Sequence, residues 1–179
     1  MLEELCGLIK DEELRKKVVE FIKNLKLSNP NFLKYKQEKF ERTFIYFSAN
    51  PFKGFAKRDL VTHTKFVVEL CNKIADVIED VWGLKVNKDV LIASAILHDI
   101  MKVYESSNLN EHPLLDHATL AISELYARGF NEEILHAIEA TSNKEPKTLE
   151  AFILSAVDNF ASVLEFNLLP KEEIHKHKE

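Results

Sequence analysis

Histidine and aspartate residues that could bind a metal ion stand at three separate places in the sequence. His98 and Asp99 are adjacent and follow the apolar residues 90–96. His63 precedes this pair in the chain, and Asp158 comes well after it. Imidazole nitrogens and carboxylate oxygens suit a borderline divalent cation such as Mn, Fe, Co, Ni or Mg better than they suit a structural zinc ion. The sequence therefore offers ligands for one metal site, provided that the fold brings them together.

Asp158 is the least ordinary of these residues, because it lies in an apolar setting next to Val157 and close to Phe160. Burying a carboxylate is costly unless a cation or hydrogen-bond donors compensate it. A metal ion would meet that need, but a salt bridge would meet it as well. A single His-Asp dipeptide is also common in structural roles, so each residue taken alone is weak support for a site.

The elements that must position these residues are predicted to be helices. Apolar residues at three- and four-residue spacing indicate a long helix that begins after Asp59 and ends at Gly83, with His63 in its first turns. Asn87 caps the next predicted helix, which carries His98 at its C-terminal end. Two successive long helices form a hairpin, so these two histidines can meet at one end of it.

The rest of the chain also follows helical rather than strand periodicity. Further helices are predicted over residues 11–27, one or two short stretches within 32–50, and residues 112–128, 131–142 and 148–167, the last of which holds Asp158. No convincing strand pattern is present. The predicted fold class is therefore all-α, a bundle of about six or more helices.

Composition places the chain among globular domains. Its 179 residues are 46% hydrophobic and 30% charged, which suits one domain with a sizeable core. The net charge of −5 gives no overall reason to expect nucleic-acid binding. No apolar run approaches a membrane span, the first residues are acidic, and Cys6 and Cys71 lack metal-binding spacing. These features predict a cytoplasmic protein with buried thiols and no membrane contact.

Two stretches leave alternatives open. Residues 32–50 mix aromatic and basic side chains, which could form a stacking surface for nucleic acid or could pack the rings onto the core; the packed arrangement is the favoured interpretation. His175 and His177 lie in a polar C-terminal stretch, which is typical of a solvated tail.

The ordered set of His63, His98-Asp99 and Asp158 resembles that of the HD-domain metal-dependent phosphohydrolases. Three segments are similar to the family's motifs: LVTHT at 60–64, LIASAILHDIMK at 91–102 and AVDN at 156–159. Residues 114–117, 134–138 and 146–151 extend the resemblance toward the HD domain of bacterial 3′-to-5′ exoribonucleases. The resemblance covers about residues 58–165.

This resemblance implies an all-α HD domain over residues 58–169. A helical lead-in over residues 1–57 is compatible with it and is expected to pack on the core, and the polar residues 170–179 are expected to form a tail. The expected site residues are those that stand at the matching positions of the family's motifs. Metal ligands are expected at His63, His98, Asp99 and Asp158, catalytic or phosphate-binding roles at Asp99, Lys102 and His117, a substrate contact at His112, and supporting positions at His136 and Thr141. Lys102 could instead be a surface lysine, and His136 a buried hydrogen-bonded histidine.

The sequence also departs from the exoribonuclease pattern. Ala-Thr-Ser at 140–142 replaces a histidine pair, which argues for one metal ion and against a complete second site. Met101 replaces a glycine, which would narrow the approach to the metal. Asp116 also replaces a glycine, and its carboxylate would either repel an anionic substrate or orient His117.

Three functions are compatible with these features. The favoured one is a phosphohydrolase acting on a nucleotide or a related small phosphorylated molecule. The alternatives are a 3′-end nuclease for single-stranded RNA or DNA, which would need a basic groove from Lys53, Lys57 and Arg58 to the metal, and a catalytically weak binding or scaffold module. The sequence leaves open whether the chain forms a homo-oligomer.

Overall fold

The computed structural model describes residues 2–142 and 144–172. Within them, seven α-helices are formed: α1 Leu2–Leu5, α2 Glu12–Lys23, α3 Leu60–Trp82, α4 Lys88–Leu97, α5 His117–Ala127, α6 Glu132–Ala140 and α7 Leu149–Leu168. Short 3-10 helices cover Cys6–Leu8, Pro30–Phe32, Phe40–Arg42 and Ile100–Tyr104. Three strands complete the fold: β1 Phe44–Phe47, β2 Phe55–Asp59 and β3 Lys171–Glu172. The predicted helical class is confirmed.

The helices that carry the candidate ligands begin and end where local signals predict. The Asp59 carboxylate accepts hydrogen bonds from the backbone amides of residues 61 and 62, so α3 begins directly after it. Gly83 ends α3 in the left-handed conformation, with φ of 68°. The side chains of Asn87 and Thr148 cap α4 and α7 in the same way as Asp59 caps α3. These boundaries confirm the sequence prediction.

Helix α5 starts later than predicted. The predicted start at residue 112 is wrong, because Asp116 accepts the amide hydrogen of Thr119 and so caps a helix that begins at His117. Pro113 also disfavours a helical conformation at the residue before it. Helix α2 likewise ends at Lys23, earlier than the predicted residue 27.

A small antiparallel sheet contradicts the expectation that the chain has no strands. Strand β2 lies in its centre and pairs with β1 on one side, from Phe44 opposite Asp59 to Phe47 opposite Ala56, and with β3 on the other. The prediction of one or two short helices within residues 32–50 is therefore wrong at β1. Strands of four and five residues, the second of which has three charged members, are too short to show a clear two-residue period.

Helix α4 lies at the centre of the molecule. All residues from Val90 to Leu97 are buried, and α4 packs against α2, α3, α6 and α7. A helix that is apolar on every side is covered on every side. The His-Asp pair therefore emerges from the centre of the core, which keeps both side chains away from bulk water.

The N-terminal helices join the same hydrophobic core as the central ones, through Leu5, Val18 and Phe21 among others. The division into residues 1–57, 58–169 and 170–179 stays a prediction. His175 and His177 lie outside the described residues. Among the described helices, none combines the length and apolarity that a membrane span requires.

Candidate metal centre

The four residues expected as metal ligands lie together at one end of the bundle. His63 stands in the first turn of α3, His98 caps the C-terminus of α4, Asp99 follows it, and Asp158 is in the middle of α7. The Nε2 atoms of His63 and His98 lie 3.1 and 3.7 Å from the Asp158 Oδ1 atom. Both Nε2 atoms are also 3.5 Å from the Asp99 Oδ2 atom. Three helices and one turn thus place two imidazoles and two carboxylates around one point.

Three atoms at this point are buried and have no hydrogen-bond partner among the residues that the structure describes: His63 Nε2, His98 Nε2 and Asp158 Oδ1. Buried polar atoms are normally satisfied, so three orphaned ones facing each other call for an explanation. The Nδ1 atom of His98 lies 2.8 Å from the Ala95 carbonyl oxygen, so Nδ1 carries the hydrogen and Nε2 directs its lone pair into the cluster. Lone pairs that converge in this way fit a cation.

Charge also favours a cation here. Burial lowers the pKa of His98, but the carboxylates of Asp99 and Asp158 outweigh this effect and raise it above its usual value. The pocket therefore stabilises positive charge at Nε2, whether a proton or a metal ion supplies it. His63, His98 and Asp99 offer ligand atoms that all lie within 4.8 Å of one another. The donor set fits a divalent metal ion.

The Asp99 carboxylate is surrounded by positively charged groups. Its Oδ2 atom lies 2.8 Å from the Lys102 ammonium and 3.2 Å from the Arg58 guanidinium, and its Oδ1 atom lies 3.4 Å from His117 Nε2. Burial by itself would raise the pKa of Asp99, but His98, Lys102, His117 and Arg58 hold it well below its usual value. Asp99 therefore remains ionised and able to bind a cation.

His117 enters the cluster from the start of α5. Its Nδ1 atom lies 3.1 Å from a carboxylate oxygen of Glu105, while Nε2 faces Asp99. The side chain is 21% exposed, so it borders solvent on one side. Of the two roles considered for Asp116, the structure favours orientation, because its carboxylate caps the helix that starts with His117.

One functional candidate, Glu165, was missed by the sequence analysis, and another, Arg58, was given a different role. Glu165 on α7 contacts the Nδ1 atom of His63 at 3.1 Å, and the Arg58 guanidinium on β2 lies 3.3 Å from the same carboxylate. Arg58 also donates to the Ser162 hydroxyl at 3.0 Å. Ligand histidines commonly have their second nitrogen held by a carboxylate, which fixes the ring. Glu165 has that position relative to His63.

A helical pattern could have revealed Glu165. Asp158, Ser162 and Glu165 follow one another at spacings of four and three residues, which places them on one face of α7. A carboxylate two helical turns after a candidate ligand lies on the same face of the helix, and this spacing indicates a candidate member of the same site. For Arg58 no comparable signal exists, because its contact with Asp99 depends on how β2 packs against the bundle.

Two predicted residues are not brought to the cluster. The His112 Nδ1 atom lies 3.2 Å from the Tyr104 carbonyl oxygen, and the side chain is exposed. His136 Nε2 accepts a hydrogen bond from the backbone amide of Lys147 at 2.8 Å, so this histidine stabilises the loop before α7. In the part of the chain that the structure describes, no polar contact joins either histidine to the metal ligands.

A cleft of about 860 Å³ opens beside Asp158. It is bounded by the turn after β1, the loop after α6 and one face of α7. Thr141 lies in its wall and donates its hydroxyl hydrogen to the Ile138 carbonyl at 2.8 Å. Met101 is fully buried in the core, so the expectation that it narrows the approach is wrong.

The basic groove expected for a nuclease does not include Arg58. This residue is 4% exposed, and its guanidinium lies between the carboxylates of Asp99 and Glu165. Lys57 places its ammonium over the rings of Phe44 and Tyr46. Arg58 therefore stabilises the buried carboxylates and is not available to a phosphate backbone at the surface.

Comparison with known proteins agrees with this geometry. The HD domain family matches residues 60–162, a range that contains all four candidate ligands. A relative from Methanocaldococcus jannaschii, a dihydroneopterin 2′,3′-cyclic phosphate phosphodiesterase, is 38% identical over 165 residues, which cover 86% of this chain and 65% of that protein. The chain thus spans slightly less than two thirds of the length of that relative. No solved structure matches the chain. By its matched region and its helical fold, the chain belongs to the HD domain family.

Proposed function

We propose that this protein is a metal-dependent phosphohydrolase that hydrolyses a phosphoester of a nucleotide or a related small molecule. One observation carries the proposal: His63 Nε2, His98 Nε2 and Asp158 Oδ1 converge without hydrogen-bond partners beside the ionised Asp99. This convergence lies within the region matched by the HD domain family. Asp158 also lines the large cleft, which is therefore the proposed route of a substrate to the site.

The metal ligands in this proposal are His63, His98, Asp99 and Asp158. When bound there, a divalent cation lowers the pKa of water and offsets the negative charge that develops on phosphorus. The ligand types suit Mn, Fe, Co, Ni or Mg. Among the described residues, His117 is the one further histidine in contact with Asp99, and residues 140–142 supply none, so the proposal has a single metal ion.

Protein groups around Asp99 have separate roles in the proposed reaction. Arg58 keeps Asp99 ionised and fixes its position, because the buried Arg58 guanidinium contacts the carboxylates of both Asp99 and Glu165. The Lys102 ammonium contacts the Oδ2 atom of Asp99 and the His117 Nε2 atom faces its Oδ1 atom, and the two side chains are 11% and 21% exposed. Each can turn a donor toward a phosphate oxygen, which positions the phosphorus for attack by water.

The substrate class is inferred from the relative. A protein that is 38% identical over most of this chain acts, by its name, on a 2′,3′-cyclic phosphate of dihydroneopterin. We therefore favour a cyclic phosphodiester as substrate, opened to a phosphomonoester by water. The nuclease alternative is less favoured because Arg58 is withdrawn from the surface. Cytoplasmic location and self-association stay predictions.

The test combines metal analysis with hydrolysis of a substrate panel. We expect about one equivalent of divalent metal per chain, and hydrolysis of guanosine and dihydroneopterin 2′,3′-cyclic phosphates that a chelator abolishes and added metal restores. Short single-stranded RNA and mononucleotides complete the panel. Asp158→Ala should lose both metal and activity at unchanged helicity, whereas Asp80→Ala, an exposed aspartate of α3, should lose neither.

Two outcomes would contradict the proposal. Full metal occupancy in the Asp158→Ala protein would remove Asp158 from the ligand set. Stoichiometric metal with no hydrolysis of any phosphoester would favour the binding or scaffold alternative instead.

A further inference from the structure

The cleft beside Asp158 is larger than a phosphate group requires. Its volume of about 860 Å³ lies in the range of cavities that hold whole small molecules. Because Asp158 belongs to the proposed ligand set and also lines this cleft, a substrate with its phosphate at the metal can extend its remaining atoms into the cleft. The lining of the cleft then indicates what those atoms are.

The lining is polar but mostly neutral. Its described residues are Ser48, Ala49, Asn50, Ala140, Thr141, Lys144, Glu145, Pro146, Phe152, Ser155, Ala156, Asp158, Asn159 and Ser162. Lys144 is the one basic side chain among them, and it already pairs with Glu139 at 3.3 Å. A polyphosphate or a nucleic-acid backbone would need several free cations. The cleft instead suits a neutral group with hydrogen-bonding edges.

Free hydrogen-bonding groups are present on more than one wall. In the described part of the chain, the side-chain amides of Asn50 and Asn159 make no hydrogen bond, and each offers a donor and an acceptor. The Thr141 hydroxyl has given its hydrogen to Ile138, so it presents an acceptor. A ring system with both N–H donors and carbonyl or ring-nitrogen acceptors would satisfy this combination.

An aromatic surface accompanies these groups on α7. Phe152, Ser155, Asn159 and Ser162 follow one another at three- and four-residue spacing and so form one stripe of the helix. Phe152 is 60% exposed and lies at the border between the cleft and an apolar groove along α3 and α7. An exposed aromatic ring next to free amides is suited to stacking on a flat heterocycle.

We propose that this cleft binds the heterocyclic half of the substrate, a planar pterin- or purine-like ring, with Phe152 stacking on it and Asn159 and Thr141 bonding to its edge. The proposal rests on the proposed phosphohydrolase function. It assigns substrate selectivity to α7 and the loop after α6, separately from the metal ligands that act on the phosphate.

Binding of free neopterin, a pterin without phosphate, tests the proposal independently of catalysis. We expect its fluorescence titration to show binding to the wild-type protein and an affinity about tenfold lower for Asn159→Ala, as for the loss of the hydrogen bonds of one amide. Asn167→Ala is the matched control, because this exposed residue of α7 lies outside the cleft and bonds to the Val163 carbonyl. Phe152→Leu should also weaken binding severalfold, whereas Phe160→Leu, confined to the apolar groove, should not.

Hydrolysis gives a second, selective readout. Asn159→Ala should lower kcat/KM about tenfold for guanosine 2′,3′-cyclic phosphate and less than twofold for glycerol 1,2-cyclic phosphate, which has no ring to bind. Absence of neopterin binding to the wild-type protein, or equal affinity in all variants, would overturn the cleft assignment. Binding with the expected pattern but without any hydrolysis would leave the cleft assignment standing and overturn the proposed function.

Discussion

The two imidazoles of the candidate metal centre are oriented by different kinds of partner at their Nδ1 atoms. His98 is fixed within its own helix, through its contact with the Ala95 carbonyl. His63 depends on Glu165, which lies 102 residues away in sequence and reaches it from α7. One ring orientation is therefore local, whereas the other requires the bundle to be assembled.

Replacement of Glu165 by glutamine tests this difference. We expect Glu165→Gln to weaken divalent-metal affinity about 10- to 100-fold, because a neutral amide holds the His63 ring less firmly and removes negative charge near the site. Metal titration against a competing chelator measures the effect. Glu69→Gln on the exposed side of α3 is the control. Unchanged affinity in the Glu165→Gln protein would show that the His63 ring is oriented without it.

At the scale of elements, the start of α5 decides where His117 lies. Asp116 accepts hydrogen bonds from both the amide and the hydroxyl of Thr119, so the helix begins directly at the histidine. These bonds, the one to the backbone amide first, lower the pKa of Asp116 below its usual value. The cap thus works as an ionised carboxylate.

Asp116→Ala should destabilise the protein by about 1 kcal/mol near neutral pH, the usual effect of losing an N-cap. The folded state lowers the Asp116 pKa, so the stabilisation is present above the unfolded pKa of about 4 and is lost as pH falls through the folded value. Denaturant unfolding at several pH values should therefore show a difference from wild type that shrinks under acid. A difference of equal size at all pH values would mean that the carboxylate charge does not contribute.

Across the whole molecule, the core surrounds α4 and also encloses both cysteines. Cys6 comes from the N-terminal segment and Cys71 from α3, and both thiols are free and buried. Burial, with a smaller effect of Glu3, raises the pKa of Cys6 to about 11. Burial and the nearby Asp158 raise the pKa of Cys71 further. Both groups therefore stay protonated and shielded at neutral and mildly alkaline pH.

The reaction of these thiols reports on the integrity of the core. At pH 8 we expect neither cysteine of the folded protein to react with a disulfide reagent within minutes, because the thiolate is the nucleophile. Both should react at once in denaturant. Rapid reaction of one thiol before unfolding would show that the segment covering it opens independently of the bundle.

The sequence by itself determined the helical class, the limits of α3, α4 and α7, and the order of the four candidate ligands. Caps such as Asp59 and Asn87, the stop at Gly83 and the apolar period act within a few residues, so they can be recognised without the fold. The apolar run before His98 likewise predicted a buried helix. The positions of the four candidate ligands then followed from the order of the motifs that resemble those of the family.

Tertiary structure alone decided the three-stranded sheet, the buried ion pairs of Arg58 and the support of His63 by Glu165. The pairing of β2 with β3 and the contacts of Arg58 and Glu165 join residues far apart in sequence, such as Arg58 and Asp99, 41 residues apart. Tertiary packing also directed His112 to the Tyr104 carbonyl and His136 to the Lys147 amide, and it formed the cleft beside Asp158. The physical reason is that the partners of a buried charge are set by which elements pack together, and no local pattern in the chain encodes that choice.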